Sequence, residues 1–338
     1  MLGQYKIRIT DSKICYNFTI SRNITIINGN SGTGKTTLVD LIDNSRSNDD
    51  ISITVESTLD TVPELRTLRG NDTFWKITIP LMKNTILFLD EDCEFMSTKE
   101  FAEVVKNSEC YFVLITRNSL EMLPYSIEEI YEITVDKHYP NLKKTYNTLV
   151  RRYKDFQGKV KPDLILVEDS KSGYQFVQRA FTAIPCKSCN GKSNIVSSIK
   201  NIKEKNILII VDGAAFGSNA DRLFAEIMNK NYTGKHVVIF APESFEWLIL
   251  RSNLFYNTVR ENLESTYNYA DSKKYESWEQ YYTSLLIKIT LKTPAQYNKA
   301  NLNKFYLHGA AKKALMKMYD LLEDPPFLGN LKPLNKFD

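Results

Sequence analysis

The chain has 338 residues, of which 43% are hydrophobic, 25% charged and 12% aromatic, with a formal net charge of +4. That balance excludes a disordered or fibrous chain, and the length exceeds what one hydrophobic core usually organises, so two domains are expected. No apolar run approaches the roughly 18 residues that a membrane span needs, and Lys6, Arg8, Asp11 and Lys13 interrupt the stretch a secretory signal would keep apolar. Five cysteines make no disulfide framework, which fits a reducing cytoplasm. Residues 1–150 hold 16 Lys and Arg against 21 Asp and Glu, whereas the remainder holds 28 against 19. A basic second half suits a nucleic acid, although a solvated lysine-rich face gives the same count.

Along the chain, Tyr5–Thr10 and Ile14–Ile20 alternate apolar and polar residues as half-buried strands do, and Ile24–Asn28 is a more continuous apolar run suited to a central strand. A glycine-rich turn and a helix over Lys35–Asp43 follow. Thr85–Leu89 and Tyr111–Thr116 read as strands, with a helix over Thr98–Lys106 between them. The segment Asn141–Phe156 is expected to be helical, in a linker of residues 137–162 ended by Gly158 and Pro162. A second alternation follows: strands Leu164–Val167, Asn206–Val211 and His236–Phe240, and helices near Tyr174–Thr182, Asn194–Lys200 and Asp221–Asn229. From Glu243 onward the pattern is helical. The fold class is therefore α/β, with two parallel-sheet domains (1–136 and 163–250) and a helical region over 251–338.

Gly29-Asn30-Ser31-Gly32-Thr33-Gly34-Lys35-Thr36 fits G-x-x-x-x-G-K-[ST], between an apolar strand and the helix opened by Thr37. Loop N–H groups at a helix N-terminus cradle phosphates; Lys35 would reach the β- and γ-phosphates of ATP and Thr36 would hold Mg²⁺. The matching half-site is a strand ending in acids, Ile86-Leu-Phe-Leu-Asp90-Glu91. Asp90 would bind Mg²⁺ through water and Glu91 would be the general base. Glu91 favours a hydrolase over a small-molecule kinase, which would need an acceptor pocket.

With the strand end Val113-Leu-Ile-Thr-Arg-Asn118, these residues resemble the ATP-binding cassette superfamily, in its branch of DNA-repair and defence ATPases, over about residues 1–135. Departures are visible: no Gln lies between Gly29 and Asp90, the Leu-Ser-Gly-Gly-Gln signature is missing, and Thr116-Arg117 stands where the family has a switch histidine. Leu68-Arg-Gly-Asn-Asp72 is either a degenerate signature or a helix N-terminus. Arg117 would sense the γ-phosphate or pair with an acid. The resemblance implies a homodimer or higher oligomer.

In the second half, Leu164-Ile-Leu-Val-Glu168-Asp169 and Ile207-Leu-Ile-Ile-Val-Asp212-Gly213 each end an apolar strand in a carboxylate, which can place both acids around one divalent ion. The order resembles the Toprim fold of topoisomerases, primases and OLD-type nucleases, as does the turn Gly191-Lys-Ser-Asn194. It implies Glu168 as catalytic acid/base and metal ligand with Asp212, in a metal-dependent nuclease of the anti-phage kind. Asp212-Gly-Ala214 keeps one acid of the family's Asp-x-Asp, with Asp169, Asp221 or Glu243 as substitutes and Glu246 as a further acid nearby. The alternative is a non-catalytic ATP-dependent switch that binds nucleic acid or protein. Cys186-Lys-Ser-Cys189 lacks the four ligands of a zinc site. Tyr281, Tyr282, Tyr297, Lys299, Lys304 and Tyr306 could serve a nucleic acid or simply form core and rim.

Overall fold

The computed structural model describes residues 1–28, 34–136, 139–144, 162–200, 202–232 and 235–319. It is α/β and divides into two compact units, Met1–Tyr146 with Ser265–Ser277, and Asn147–Glu264 with Trp278–Asp338. No helix among the described residues is long and apolar enough to cross a membrane.

The strands of the first unit are β1 (Tyr5–Thr10), β2 (Cys15–Ile20), β3 (Ile24–Asn28), β4 (Ser52–Ser57), β5 (Glu64–Leu68), β6 (Lys83–Leu89), β7 (Glu109–Ile115), β8 (Ile130–Asp136) and β9 (Tyr139–Lys144). Their order is β4-β1-β2-β9-β8-β3-β7-β6-β5. The run β8-β3-β7-β6-β5 is parallel throughout, so the ends of β3, β5, β6 and β7 share one edge. β1 pairs antiparallel with β2 and β4. The continuous apolar runs of β3, β6 and β7 are buried, as strands covered on both faces must be.

Strand periodicity assigns the two faces. Phe88 and Val113 are register partners and share a core with Leu38, Val39 and Ile42 of helix α1 (Lys35–Asn44) and with Ile7, Tyr16 and Phe18. Phe18 meets Phe88 edge-on at 6.3 Å. Leu87 and Phe112, the next pair, point the other way. There Phe112 meets Phe101 of α3 (Lys99–Lys106), and Trp75 of α2 (Trp75–Leu81) stacks on Phe95 at 4.6 Å. Thr98 caps α3 by accepting from the Phe101 N–H at 3.2 Å.

One element differs from the sequence expectation. Residues 139–144, expected within a helical linker, form β9 and pair antiparallel with β8 from Asp136↔Tyr139 to Tyr131↔Lys144. Pro140 restricts Tyr139 to the extended region, and the antiparallel ladder with β8 carries the extension on to Lys144. The rest of the expected linker helix, 145–156, lies outside the described residues. The segment 265–277 belongs to the first unit by direct bonds: the Tyr267 carbonyl accepts from the Gly3 N–H at 2.7 Å, and Asn23 donates to the Glu276 carbonyl at 2.7 Å.

The second unit has four parallel strands, β10 (Leu164–Val167), β11 (Cys186–Ser188), β12 (Asn206–Ile210) and β13 (His236–Phe240), in the order β11-β10-β12-β13. Its helices are α4 (Ser172–Ala180), α5 (Ile195–Lys200), α6 (Gly217–Tyr232), α7 (Phe245–Arg251), α8 (Tyr256–Glu264), α9 (Trp278–Thr290) and α10 (Gly309–Lys317). Tyr281, Tyr282, Tyr297 and Tyr306 are all buried, so these four tyrosines serve the core and are not open stacking platforms.

Candidate functional site

Two clusters of charged groups form at strand carboxyl ends, one in each unit. In the first unit, Gly29–Thr33 lie outside the described residues, and the loop is entered and left by β3 and α1. Gly34 caps α1 at φ +89°, and a Cβ there would lie 2.8 Å from the Tyr16 hydroxyl. That hydroxyl donates to the Gly34 carbonyl at 2.7 Å, which ties β2 to the helix start. Lys35 is only 5% exposed, while Thr36 on the first turn is exposed. Burial depresses the Lys35 ammonium; Glu91 and Asp90 oppose that, and Arg117 adds to it. Lys35 thus shares a local field with both acids of β6 and the arginine after β7.

Each acid also has an arginine. Arg117 donates to both oxygens of Glu91, Nε to Oε2 at 2.9 Å and Nη2 to Oε1 at 2.8 Å. Arg69 donates from Nη1 to Asp90 Oδ2 at 3.0 Å, while Asp90 Oδ1 accepts from the Glu91 N–H at 2.8 Å. Asp90 is buried. Sequence reasoning named Arg117 but gave no role to Arg69, which lies in the stretch weighed as a degenerate signature. Leu68 is the last residue of β5, and the turn beyond it leads to α2.

In the second unit, β10 and β12 are neighbours with Val167 opposite Ile210, so Glu168 and Asp212 leave adjacent strand ends. Glu168 Oε2 accepts from the Asp212 N–H at 3.0 Å, and Asp212 Oδ1 accepts from the Phe245 N–H at 3.2 Å. Asp169 Oδ1 accepts from the Tyr174 N–H at 3.1 Å. The three carboxylates line a recess with Phe245, Leu248 and Tyr319. Phe176 sits behind it, stacked on Tyr319 at 5.8 Å and tilted against Phe245 at 5.6 Å.

This apolar floor disfavours charge. Burial pushes Glu168 up to about 7, against the Asp212 N–H and Lys192, which pull it down. Burial raises Asp212 well above the usual carboxylate range, helped by repulsion from Glu279, Glu168, Glu246 and Asp169. Burial raises Asp169 as well.

The α7 acid that acts on Asp212 is Glu246. It is 1% exposed, accepts from the Tyr297 hydroxyl at 2.7 Å and pairs with Lys299 at 3.5 Å; Lys299 also pairs with Glu279 at 2.6 Å. Glu279 lies far from the strand ends in sequence and no local pattern marks it; Lys299, a candidate nucleic-acid contact in the sequence, pairs with two carboxylates. Ala214 is buried and its N–H donates to the Glu243 carbonyl at 3.1 Å, so the position of a second motif acid is part of the core.

Among the described residues, no three His, Cys, Asp or Glu side chains are placed to hold one metal ion. Mg²⁺ is commonly held by only one or two carboxylates with waters and substrate phosphates, and Glu168 with Asp212 meets that lesser requirement. Cys186 and Cys189 are free thiols, and burial raises both. Comparison of the chain with models of known protein families gives no match, and no curated protein aligns with it significantly.

Proposed function

We propose that the chain binds and hydrolyses ATP in its first unit, and that its second unit is a metal-dependent nuclease of the Toprim kind. The observation that carries the reading is the gathering of Lys35, Asp90, Glu91 and Arg117 at the carboxyl edge of one parallel sheet, beside the helix that follows the glycine-rich sequence. Lys35 would neutralise phosphate oxygens from a largely dry position, which strengthens its attraction for them. Arg117 has an exposed partner in Glu91, and a γ-phosphate would compete for it. Its transfer would free Glu91 to accept the proton of an attacking water. Thr36 and Asp90 would hold Mg²⁺, which supplies charge neutralisation to the phosphates when bound.

In the second unit, Glu168 is poised near neutral pH and suits proton transfer, with Asp212 as its partner in holding a divalent ion. The basic excess of that half suits a polyanionic substrate. A homodimer or higher oligomer, a cytoplasmic setting and a part in anti-phage defence complete the proposal. The second reading, a switch that binds nucleic acid or protein without cutting it, is favoured by the single acid at 212–214.

Purified protein should bind ATP with Mg²⁺ and lose at least about 100-fold in affinity or turnover on Lys35→Ala, by the scale of lost transition-state charge stabilisation. Divalent-dependent nicking of plasmid DNA, absent in Glu168→Ala, supports the nuclease. Phosphate release with no nicking supports the switch.

A further inference from the structure

We infer that Arg69 is a positioning residue that fixes Asp90 to the helix carrying Lys35 and Thr36; the inference rests on the nucleotide-site reading. The Arg69 guanidinium uses all three nitrogens on three carboxylates from two elements. Nη2 donates to Asp40 Oδ1 at 2.7 Å and to Asp43 Oδ2 at 2.7 Å, Nε to Asp43 Oδ2 at 3.0 Å, and Nη1 to Asp90 Oδ2 at 3.0 Å. Asp40 and Asp43 stand three residues apart on α1, the spacing that puts them on one helix face. Arg69 therefore joins the helix of the phosphate loop to the acid at the end of β6.

The turn that bears Arg69 is itself held. A Cβ on Gly70 would lie 2.1 Å from the Asp92 carbonyl oxygen, so only glycine lets the β5 and β6 turns approach this closely. The Cys93 thiol donates to the Leu68 carbonyl at 3.4 Å, and the Asp72 N–H donates to the Arg69 carbonyl at 3.0 Å. Thr67 adds a bond from its hydroxyl to Asp43. The two turns and the face of α1 form one unit through the guanidinium.

Asp90 is left with a set orientation: Oδ2 faces Arg69 and Oδ1 faces the Glu91 N–H. Without Arg69, the three carboxylates would lose the cation they share, and Asp90 would lose its link to the helix. Only a planar fork reaches all three, so lysine is a partial substitute at best.

The test is the ATP affinity of the full chain, measured in EDTA and in Mg²⁺. Arg69→Gln should lose most of the gain in affinity that Mg²⁺ confers, and so should Asp90→Asn. The double variant should be no worse than either single one, the non-additivity of residues that act as a unit. Arg69→Lys should recover part of the gain. Arg69→Gln with a wild-type gain, or effects that add with those of Asp90→Asn, would overturn the inference. Should Arg69→Gln not fold, the paired variant Asp40→Asn with Asp43→Asn loosens the helix side and leaves the Arg69–Asp90 bond. It should lose part of the gain, and an unchanged gain there refutes the coupling. Lys35→Ala, run alongside, separates the failures: ATP affinity insensitive to that change removes the nucleotide site itself.

Discussion

Both units place acids at the carboxyl ends of parallel strands, yet they solve the charge problem in opposite ways. In the first, Asp90 and Glu91 each face an arginine, and Arg69 also gathers Asp40 and Asp43. In the second, Glu168 and Asp212 form no salt bridge with a described residue; backbone N–H groups hold them, and Lys299 spends its charge on Glu246 and Glu279. The arginines of the first unit give its acids cationic partners. Acids without a cationic partner over an aromatic floor favour their protonated form, as the upward shifts of Glu168 and Asp212 show. The same topological position thus holds arginine-paired acids in one unit and acids held by backbone N–H groups in the other.

The most damaging test of that contrast is a pair of isosteric changes. Glu91→Gln should lower ATP turnover by roughly 100- to 10,000-fold, the usual worth of a general base, while ATP binding persists. Glu168→Gln should abolish nicking and leave turnover intact. Loss of both activities in either variant would mean that the sites do not work as separate centres.

A smaller effect concerns pH. The folded-state value of Glu168, about 7, lies above the ordinary 4.5, so folding favours its protonated form. That contribution is fully present below about 4.5 and is lost as pH rises through about 7. Glu168→Gln should therefore gain on wild type between pH 5 and 8, on the order of 2 kcal/mol for a shift of this size. Melting curves across that range check it, and a constant difference would contradict the account of the apolar floor.

Smallest is the effect of Arg117→Gln on stability. The pair it breaks is half-exposed, so the melting temperature should move by the equivalent of no more than about 1 kcal/mol and less still in high salt. A large, salt-insensitive drop would show the arginine to be structural.

The legible parts of the fold were those with a strong pattern. β3, β6, β7, β10, β12 and β13 each centre on an apolar run, and the sequence expectation matches each within two residues. β4 and β5 are short edge strands with mixed composition, and neither carries such a run. Helix α2, Trp-Lys-Ile-Thr-Ile-Pro-Leu, has strand-like composition and an internal proline; it is helical where Trp75 packs on Phe95 and Phe101, a case of tertiary packing outweighing propensity. For the sites, strand-end acids could be read because the motif is local. The roles of Arg69 and Glu279, and the carboxylate partners of Lys299, could not, since those partners lie 20 or more residues away and no spacing encodes them.

The return of Ser265–Ser277 to the first unit has a consequence for how the molecule is made. A ribosome that has released only residues 1–146 has not yet supplied the strip that bonds to Gly3, Asn23 and Thr58. The first unit therefore completes its fold only after most of the other unit has emerged, and a fragment cut after residue 146 should be less stable than the same residues in the full chain. Excision of either unit whole by a single cleavage is ruled out by the path of the backbone, so separating the contributions of the two units has to rely on point substitutions.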